Sequence, residues 1–252
     1  MMKAIVFAAG IGSRLKPFTL HHPKALAPVN GTPALELVVE RLKAAGVDEL
    51  VINVHHFAEQ VRDFVAARDN FGIRVHISDE SDRLLETGGA LVKAAEWLKS
   101  DSPFIVHNAD IVTNLDLRGM YESHLRSGAD VTLLATDRKT SRYLFFDKDG
   151  DRLRGWINEK TGEVRPAGFV PDPESMNKLA FGGVHVIDPK VLDMLAEYRE
   201  PGTPFSLTPF YVDECGNLRI HAYSPDPDKF VWADIGTPES LQHASELIKN
   251  NI

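Results

Sequence analysis

The sequence predicts an α/β fold: a three-layer sandwich with helices on both faces of a mixed, mostly parallel sheet, plus a small β-rich insertion. Three observations carry this expectation. Short apolar runs alternate with amphipathic segments through the first half. The first run, "KAIVFAA", is apolar at every position after its lysine, as a strand covered on both faces must be. Near Arg138 the rhythm breaks, and the next forty residues read as hairpin rather than strand and helix.

In order along the chain, Lys3–Ala9 is the first strand. "TPALELVVERLKAAG" follows as a helix, with Thr32 as its cap, Pro33 at the first helical position and Gly46 closing it. Leu35, Val38, Val39 and Leu42 fall at helical spacing on its inner face. "ELVINV" is the next strand, Phe57–Arg68 an amphipathic helix with Val61, Phe64 and Val65 inward, and "IRVHI" a strand. Gly88–Leu98 reads as a helix with Leu91, Ala94, Ala95 and Leu98 on one face, and Pro103–His107 as a strand. A helix around Leu117–Ser127 and a strand at Asp130–Ala135 complete the first half. Then "YLFFDKDGDRLRGWINEKTG" predicts a hairpin turning at Asp149-Gly150. "LAFGGVHVI" is a later strand, Pro189–Tyr198 a helix, the stretch after it a polar loop, "LRIHAYS" a strand and Pro238–Asn250 a last helix.

Composition narrows what such a chain does. At 252 residues it is expected to form a single domain, and 43% apolar with 25% charged residues is ordinary for a globular protein. A net charge of −8 argues against nucleic acid and anionic membrane as partners, so an anionic ligand needs a local cluster of donors and cations, or a metal. The single Cys215 forms no intrachain disulfide and has no partner to make it a nucleophile, which fits a reducing compartment. No stretch nears the ~20 apolar residues of a membrane span. The apolar run at the N-terminus is too short for a signal peptide and leads straight into "GIGSR", so a buried strand is expected, in a soluble, cytoplasmic protein.

That first strand opens into "GIGSRLKPFTLHHPKAL". A dinucleotide fingerprint fails here, because Leu15 takes the third glycine's place and no acid ends the second strand; the Walker pattern is absent. A tight turn that merely needs glycine angles is one reading. The other is an anion-binding loop, with backbone N–H groups near Gly10 and Gly12 lining phosphates and Arg14 and Lys24 adding charge. Asp110, just past the apolar strand "FIVHN", stands at the sheet edge where ligands of open α/β folds sit, although a turn aspartate reads the same way. Among the ten histidines no zinc-ligand spacing occurs; His21-His22 and His55-His56 are expected on the surface.

The run from Ala8 to Leu26 closely resembles the signature of sugar-1-phosphate nucleotidyltransferases, G-x-G-[ST]-R-[LM]-x-P-[LF]-T followed by P-K-[PA]-[LM], with every fixed position filled. The resemblance continues through "LLETGGAL", "FIVHNADIV", "WINEK", "FGGVHVI" and "WADIGTPESL", in family order, and covers essentially the whole chain. It implies a Rossmann-like (GT-A-like) domain spanning 1–252. Residues 1–137 would be mainly nucleotide-binding, 138–233 mainly sugar-binding, and 234–252 would supply a second metal ligand and the last helix.

Carried over by motif, the resemblance implies that Ala9, Gly10, Gly12, Ser13, Arg14, Glu86, Gly88, Gly89 and Asn108 bind the nucleotide. It places Glu159, Lys160, Gly182 and Gly183 on the sugar phosphate, and makes Arg14, Lys24 and Asp110 catalytic. Asp110 and Asp234 would hold Mg²⁺, an ion that accepts oxygen ligands and substrate phosphates. "LLETGG" also reads as a helix entry capped by Thr87, and Glu159-Lys160 as a solvated hairpin pair. Ala109 and Thr161 stand where the family usually has glycine and proline. The "ETGG" version looks most like short N-acetylmuramate-1-phosphate uridylyltransferases.

The implied reaction takes a nucleoside triphosphate, UTP on this resemblance, and a sugar 1-phosphate, and gives nucleotide-sugar and pyrophosphate. The attacking phosphate is already anionic and needs no general base, so catalysis is positioning and charge stabilisation. Mannose- or glucose-1-phosphate chemistry with another base remains open. So does a phosphocholine cytidylyltransferase, whose ammonium would need an aromatic cage for which Trp156, Phe169, Phe181 and Trp232 are available. A non-catalytic sensor would be expected to have lost some of Arg14, Lys24, Asp110 and Asp234, and all are present. The oligomeric state is not written in the sequence.

Overall fold

The computed structural model describes residues 1–150 and 152–251. Four parallel strands make the first half of the sheet, in the spatial order β5 (Arg74–Asp79), β4 (Val47–Val54), β1 (Met2–Phe7) and β6 (Phe104–Asn108). Next to β6 lies β12 (Met176–Ile187), antiparallel, then β8 (Val131–Thr136) and β13 (Ile220–Tyr223), which is parallel to β8. The sheet is therefore mixed but mostly parallel at its centre.

Alternation along β1 builds the two outer layers. Ala4 and Val6 face one side with Leu50, Ile52 and Ile105, and there they meet Leu35, Val38 and Leu42 of α1 (Ala34–Ala44). Val61 and Val65 of α2 (Ala58–Ala67) and Met120 of α4 (Leu117–Ser127) join the same cluster. Ile5 points to the opposite face with Val51 and Val106, against Leu91, Ala94 and Leu98 of α3 (Glu86–Leu98), Leu195 of α5 (Val191–Tyr198) and Phe210 of α6 (Leu207–Asp213). Removing such a fully buried side chain costs about 2–5 kcal/mol. Helix α4 is bounded as its sequence directs: the Asp116 carboxylate accepts from the Gly119 N–H at 2.8 Å, and Gly128 ends it at φ +62°.

The N-terminal half of β12 leaves the centre and pairs with β9 (Arg142–Asp147), followed by β10 (Leu153–Asn158) and β11 (Glu163–Arg165), all antiparallel. This ribbon is the predicted β-rich insertion. Of the Asp149-Gly150 turn, Asp149 and Gly150 lie among the described residues and Asp151 does not; the Gly150 N–H closes onto the Asp147 carbonyl at 2.9 Å.

Several local expectations are corrected. Thr32 does not cap α1. It pairs with Val29 across the Asn30-Gly31 turn, both of whose residues have positive φ, so that β2 (Pro28–Val29) and β3 (Thr32–Pro33) form a minimal hairpin and α1 starts at Ala34. The stretch read as a polar loop contains α6, which buries Leu207, Phe210 and Tyr211. Outside the main sheet, β7 (Ile111–Thr113) and β14 (Trp232–Asp234) form an antiparallel pair that the sequence did not announce. Helix α7 (Pro238–Asn251) covers a third small core around Val112, Ala233 and Ile235.

Three histidines, His107, His124 and His185, are buried in this frame. The Nδ1 atom of His124 lies 2.9 Å from the Thr132 hydroxyl, and that of His185 lies 2.8 Å from the Tyr211 hydroxyl. Burial pushes His124 down to about 4 and His185 down to about 3. Unfolded imidazoles take protons near 6.5, so the unfolded chain binds more protons below that pH. The contribution of these residues is present in full above about pH 6.5 and is lost as pH falls toward their folded values. At pH 5 each is expected to cost about 2 kcal/mol. Urea unfolding at pH 7.5 and pH 5 measures this, and an unchanged midpoint contradicts it.

Candidate active site

The site is built at the carboxyl ends of β1, β4, β5 and β6, and a buried polar network ties their loops together. The Ala8 N–H donates to Asn53 Oδ1 at 2.8 Å, and Asn53 Nδ2 donates to Glu80 Oε1 at 2.8 Å. The second oxygen of Glu80 accepts from the Leu85 N–H at 2.9 Å. Glu80 is completely buried, and burial raises its carboxyl above the ordinary range, opposed by these two hydrogen bonds. The Ala109 N–H donates to the Phe7 carbonyl at 3.0 Å, which sets the loop after β6 beside the glycine loop.

Within the glycine loop, Gly12 has φ +66°, and its carbonyl accepts from the Leu15 N–H and the Thr19 hydroxyl, both at 2.9 Å. A methyl group at Gly12 would stand 2.8 Å from Thr19 Cγ2 and 2.9 Å from Lys24 Cβ. The glycine therefore makes room for the stem of Lys24, whose ammonium is ion-paired to the Asp110 carboxylate. Arg14 is exposed and lies against the turn after β14, with one guanidinium nitrogen 3.3 Å from where a side chain on Gly236 would begin.

The β7–β14 pair brings Asp110 and Asp234 together. Asp234 stands opposite Ile111, and the Ile235 N–H donates to the Asp110 carbonyl at 3.0 Å. Asp234 Oδ1 accepts from the Gly236 N–H at 2.8 Å and from the Ser240 hydroxyl at 3.3 Å. The two aspartates are thus adjacent in backbone, and of the two only Asp110 lines a cavity; carboxylate oxygens are the donor type that suits Mg²⁺ completed by substrate phosphates and water. Among the described residues no group of three or more His, Cys, Asp or Glu gathers anywhere, so a cage made by protein alone is not on offer.

Two cavities open here. The first, about 330 Å³, is lined by Ala9, Gly10, Lys24, Glu86, Asn108 and Asp110 among others. The second, about 510 Å³, is bordered by Arg138, Arg142, Arg165, Trp156, Asn158 and Phe181. Ser206 lines both, and its hydroxyl is hydrogen-bonded to the Glu86 carboxylate. Glu86 itself has φ +56°, a left-handed conformation that an L-residue adopts only at a cost.

Other predicted residues are placed differently. The N–H groups of Gly88 and Gly89 donate to the Phe205 carbonyl at 2.7 and 3.3 Å, and the bare Cα of Gly88 accommodates the Phe205 ring. They support the wall of the first cavity instead of lining it. Thr87 does not cap α3; its hydroxyl accepts from the Leu207 N–H at 2.9 Å, at the start of α6. Ser13 lines neither cavity. Glu159 is paired with Lys178 at 2.5 Å and Lys160 sits exposed in the turn after β10, both outside the two cavities. Gly182 leaves room for Leu134, and Gly183, at φ +77°, leaves room for the Asn108 amide.

The nucleotidyl transferase family profile matches residues 3–251. The chain belongs to the nucleotidyl transferase family. This nucleotidyltransferase is 30% identical to the N-acetylmuramate alpha-1-phosphate uridylyltransferase of Caulobacter vibrioides, covering 94% of this chain and 93% of that protein. It is 28% identical to the UTP–glucose-1-phosphate uridylyltransferase of Synechocystis, over 100% of this chain and 64% of that longer protein. In fold it matches a UDP-glucose pyrophosphorylase solved with UDP-glucose, with a TM-score of 0.77 at 18% identity and complete coverage of both chains.

Several residues of the nucleotidyltransferase cleft escaped the sequence reading. Asn53 carried a usable signal, a polar residue inside the apolar run "ELVINV". Glu80 lies in "SDESD", which looks like a solvated acidic turn, and Arg138, Arg142 and Ser206 belong to no pattern of charge or spacing.

Proposed function

We propose that this nucleotidyltransferase couples UTP to N-acetylmuramate 1-phosphate or a related hexose 1-phosphate, giving the UDP-sugar and pyrophosphate. The observation that carries this reading is the pair of cavities joined at Ser206, one beside Lys24 and Asp110, the other walled by arginines. The end-to-end similarity to a uridylyltransferase of N-acetylmuramate 1-phosphate supports the choice of base and sugar.

In the proposed reaction an acceptor phosphate oxygen bonds to the α-phosphorus. The bond from that phosphorus to the bridging oxygen breaks, and pyrophosphate leaves with the electron pair. Asp110 and Asp234 would hold a magnesium ion, which when bound neutralises charge on the phosphate oxygens. Lys24, freed from Asp110, would line the first cavity with a free ammonium and balance charge beside the α-phosphate. Arg14 would meet the departing pyrophosphate, since a guanidinium fork matches phosphate oxygens. Neither a protein nucleophile nor a general base is needed. Residues 1–137 and 138–233 would thus divide the work between nucleotide and sugar, and a cytoplasmic role in making a cell-wall or polysaccharide precursor follows.

The phosphocholine alternative gains nothing from the geometry. Trp156 and Phe181 border the second cavity, but Phe169 packs edge-on against Phe145, and Trp232 is covered by the Arg138 guanidinium 4.1 Å from its ring. A grid of the five common nucleoside triphosphates against several sugar 1-phosphates and phosphocholine tests the function, read as Mg²⁺-dependent pyrophosphate release. UTP with N-acetylmuramate 1-phosphate is expected to give the highest kcat/KM. If that pair is no better than the rest, the substrate assignment is wrong.

A further inference from the structure

Building on the reading that the acceptor is a sugar 1-phosphate, we propose that Arg142 binds a carboxylate elsewhere on that sugar and thereby selects acid-bearing acceptors. The second cavity is built on one face of the β9–β10–β11 ribbon. Arg142, Asn158 and Glu163 stand in one row across it, and Leu144, Trp156 and Arg165 in the next. In a chain of net charge −8, three guanidinium groups around one cavity are a local reversal of sign.

Their partners separate them. Arg165 takes the carboxylate of Glu163 through Nε and Nη2, both at 2.7 Å, which removes the acid of the first row from Arg142. Arg138 is anchored by its bond to the Phe181 carbonyl at 2.8 Å and by its stack on Trp232, while its Nε is buried without a partner. Arg142 is exposed; its backbone N–H donates to the Thr140 hydroxyl at 3.4 Å, and its guanidinium meets no carboxylate among the described residues. The reacting phosphate belongs beside Asp110 in the first cavity, so this charge on the far side of Ser206 is not needed for it. A forked guanidinium over a wall of Leu144, Trp156 and Phe181 fits a carboxylate carried on an apolar arm.

The test compares N-acetylmuramate 1-phosphate with N-acetylglucosamine 1-phosphate, which lacks only the lactyl acid, using the full chain with UTP and Mg²⁺. Wild type is expected to favour the acid-bearing sugar. Arg142→Gln should lower the ratio of the two kcat/KM values by about 30-fold, mostly through KM, and Arg142→Lys by less, since an ammonium keeps the charge without the fork. Calorimetric binding of the two sugar phosphates to the same variants reads the preference without turnover. If wild type binds and turns over both sugars equally, the acid-bearing acceptor assignment falls, and this inference with it. If wild type prefers the acid and Arg142→Gln keeps that preference, the acceptor assignment stands and Arg142 is not its reader.

Discussion

Replacing Asp110 by asparagine is expected to lower Mg²⁺-dependent pyrophosphate release by about 10³-fold while leaving the fold intact. Asparagine keeps the shape and one acceptor oxygen, so Lys24 can still be hydrogen-bonded, but the negative charge is gone. That charge balances the Lys24 ammonium in the cleft, and in the proposed reaction it would also serve, with Asp234, as an oxygen donor to a divalent cation. The structural cost is small. The Asp110 side chain is about one-third exposed (34%), and the Ile235 N–H that closes the loop binds its backbone carbonyl, not its carboxylate. Thermal unfolding of the variant should stay within a few degrees of wild type, while single-turnover assays show the loss. Near-normal turnover would remove Asp110 from the chemistry.

Glu80→Ala should produce the opposite profile, a stability defect that also disorders nucleotide binding. Truncation leaves the Asn53 amide and the Leu85 N–H without an acceptor in a fully buried place, at a cost of about 1–3 kcal/mol for each unsatisfied group. Asn53 then loses its hold on Ala8, at the root of the glycine loop, and Leu85 its hold at the root of Glu86. The KM for the nucleotide is expected to rise about tenfold, because small displacements of positioned groups are enough for that. Glutamine should not rescue, since both Glu80 oxygens face donors and an amide offers only one acceptor. Urea titration and initial rates on the same preparations measure both effects. A variant with wild-type stability would show that the network is not what holds these loops.

The layer architecture was legible because it rests on periodicity. Ala4, Ile5 and Val6 alternate between two helical layers, and the spacing of Leu35, Val38 and Leu42 assigns α1 to one of them. The glycine loop was legible for a different reason: its long signature links Gly12, Arg14 and Lys24 within one local segment. What stayed hidden depends on the third dimension. Thr32 looks like a cap because the hairpin around Asn30-Gly31 has only two residues in each strand, too few to show an alternating pattern. Gly88 and Gly89 looked like open backbone because nothing local says that Phe205, more than a hundred residues later, lies against them. Arg142 is one arginine among many until the strand register sets it opposite Asn158 and turns Glu163 toward Arg165.

The β7–β14 pair has a consequence for how the molecule matures. All ten strands of the main sheet precede Trp232 in the chain, so during synthesis from the N-terminus they emerge before β14 does. Asp110 can be in place early, its loop set by the Ala109 N–H on Phe7 and its carboxylate by Lys24, whereas Asp234 arrives late and across a long loop closure. Such distant pairings form slowly compared with the local contacts of helices and hairpins. The nascent protein can therefore complete its scaffold while the β7–β14 pair is still unassembled, and if Asp110 and Asp234 act together as proposed, competence for chemistry would be one of the last properties it acquires.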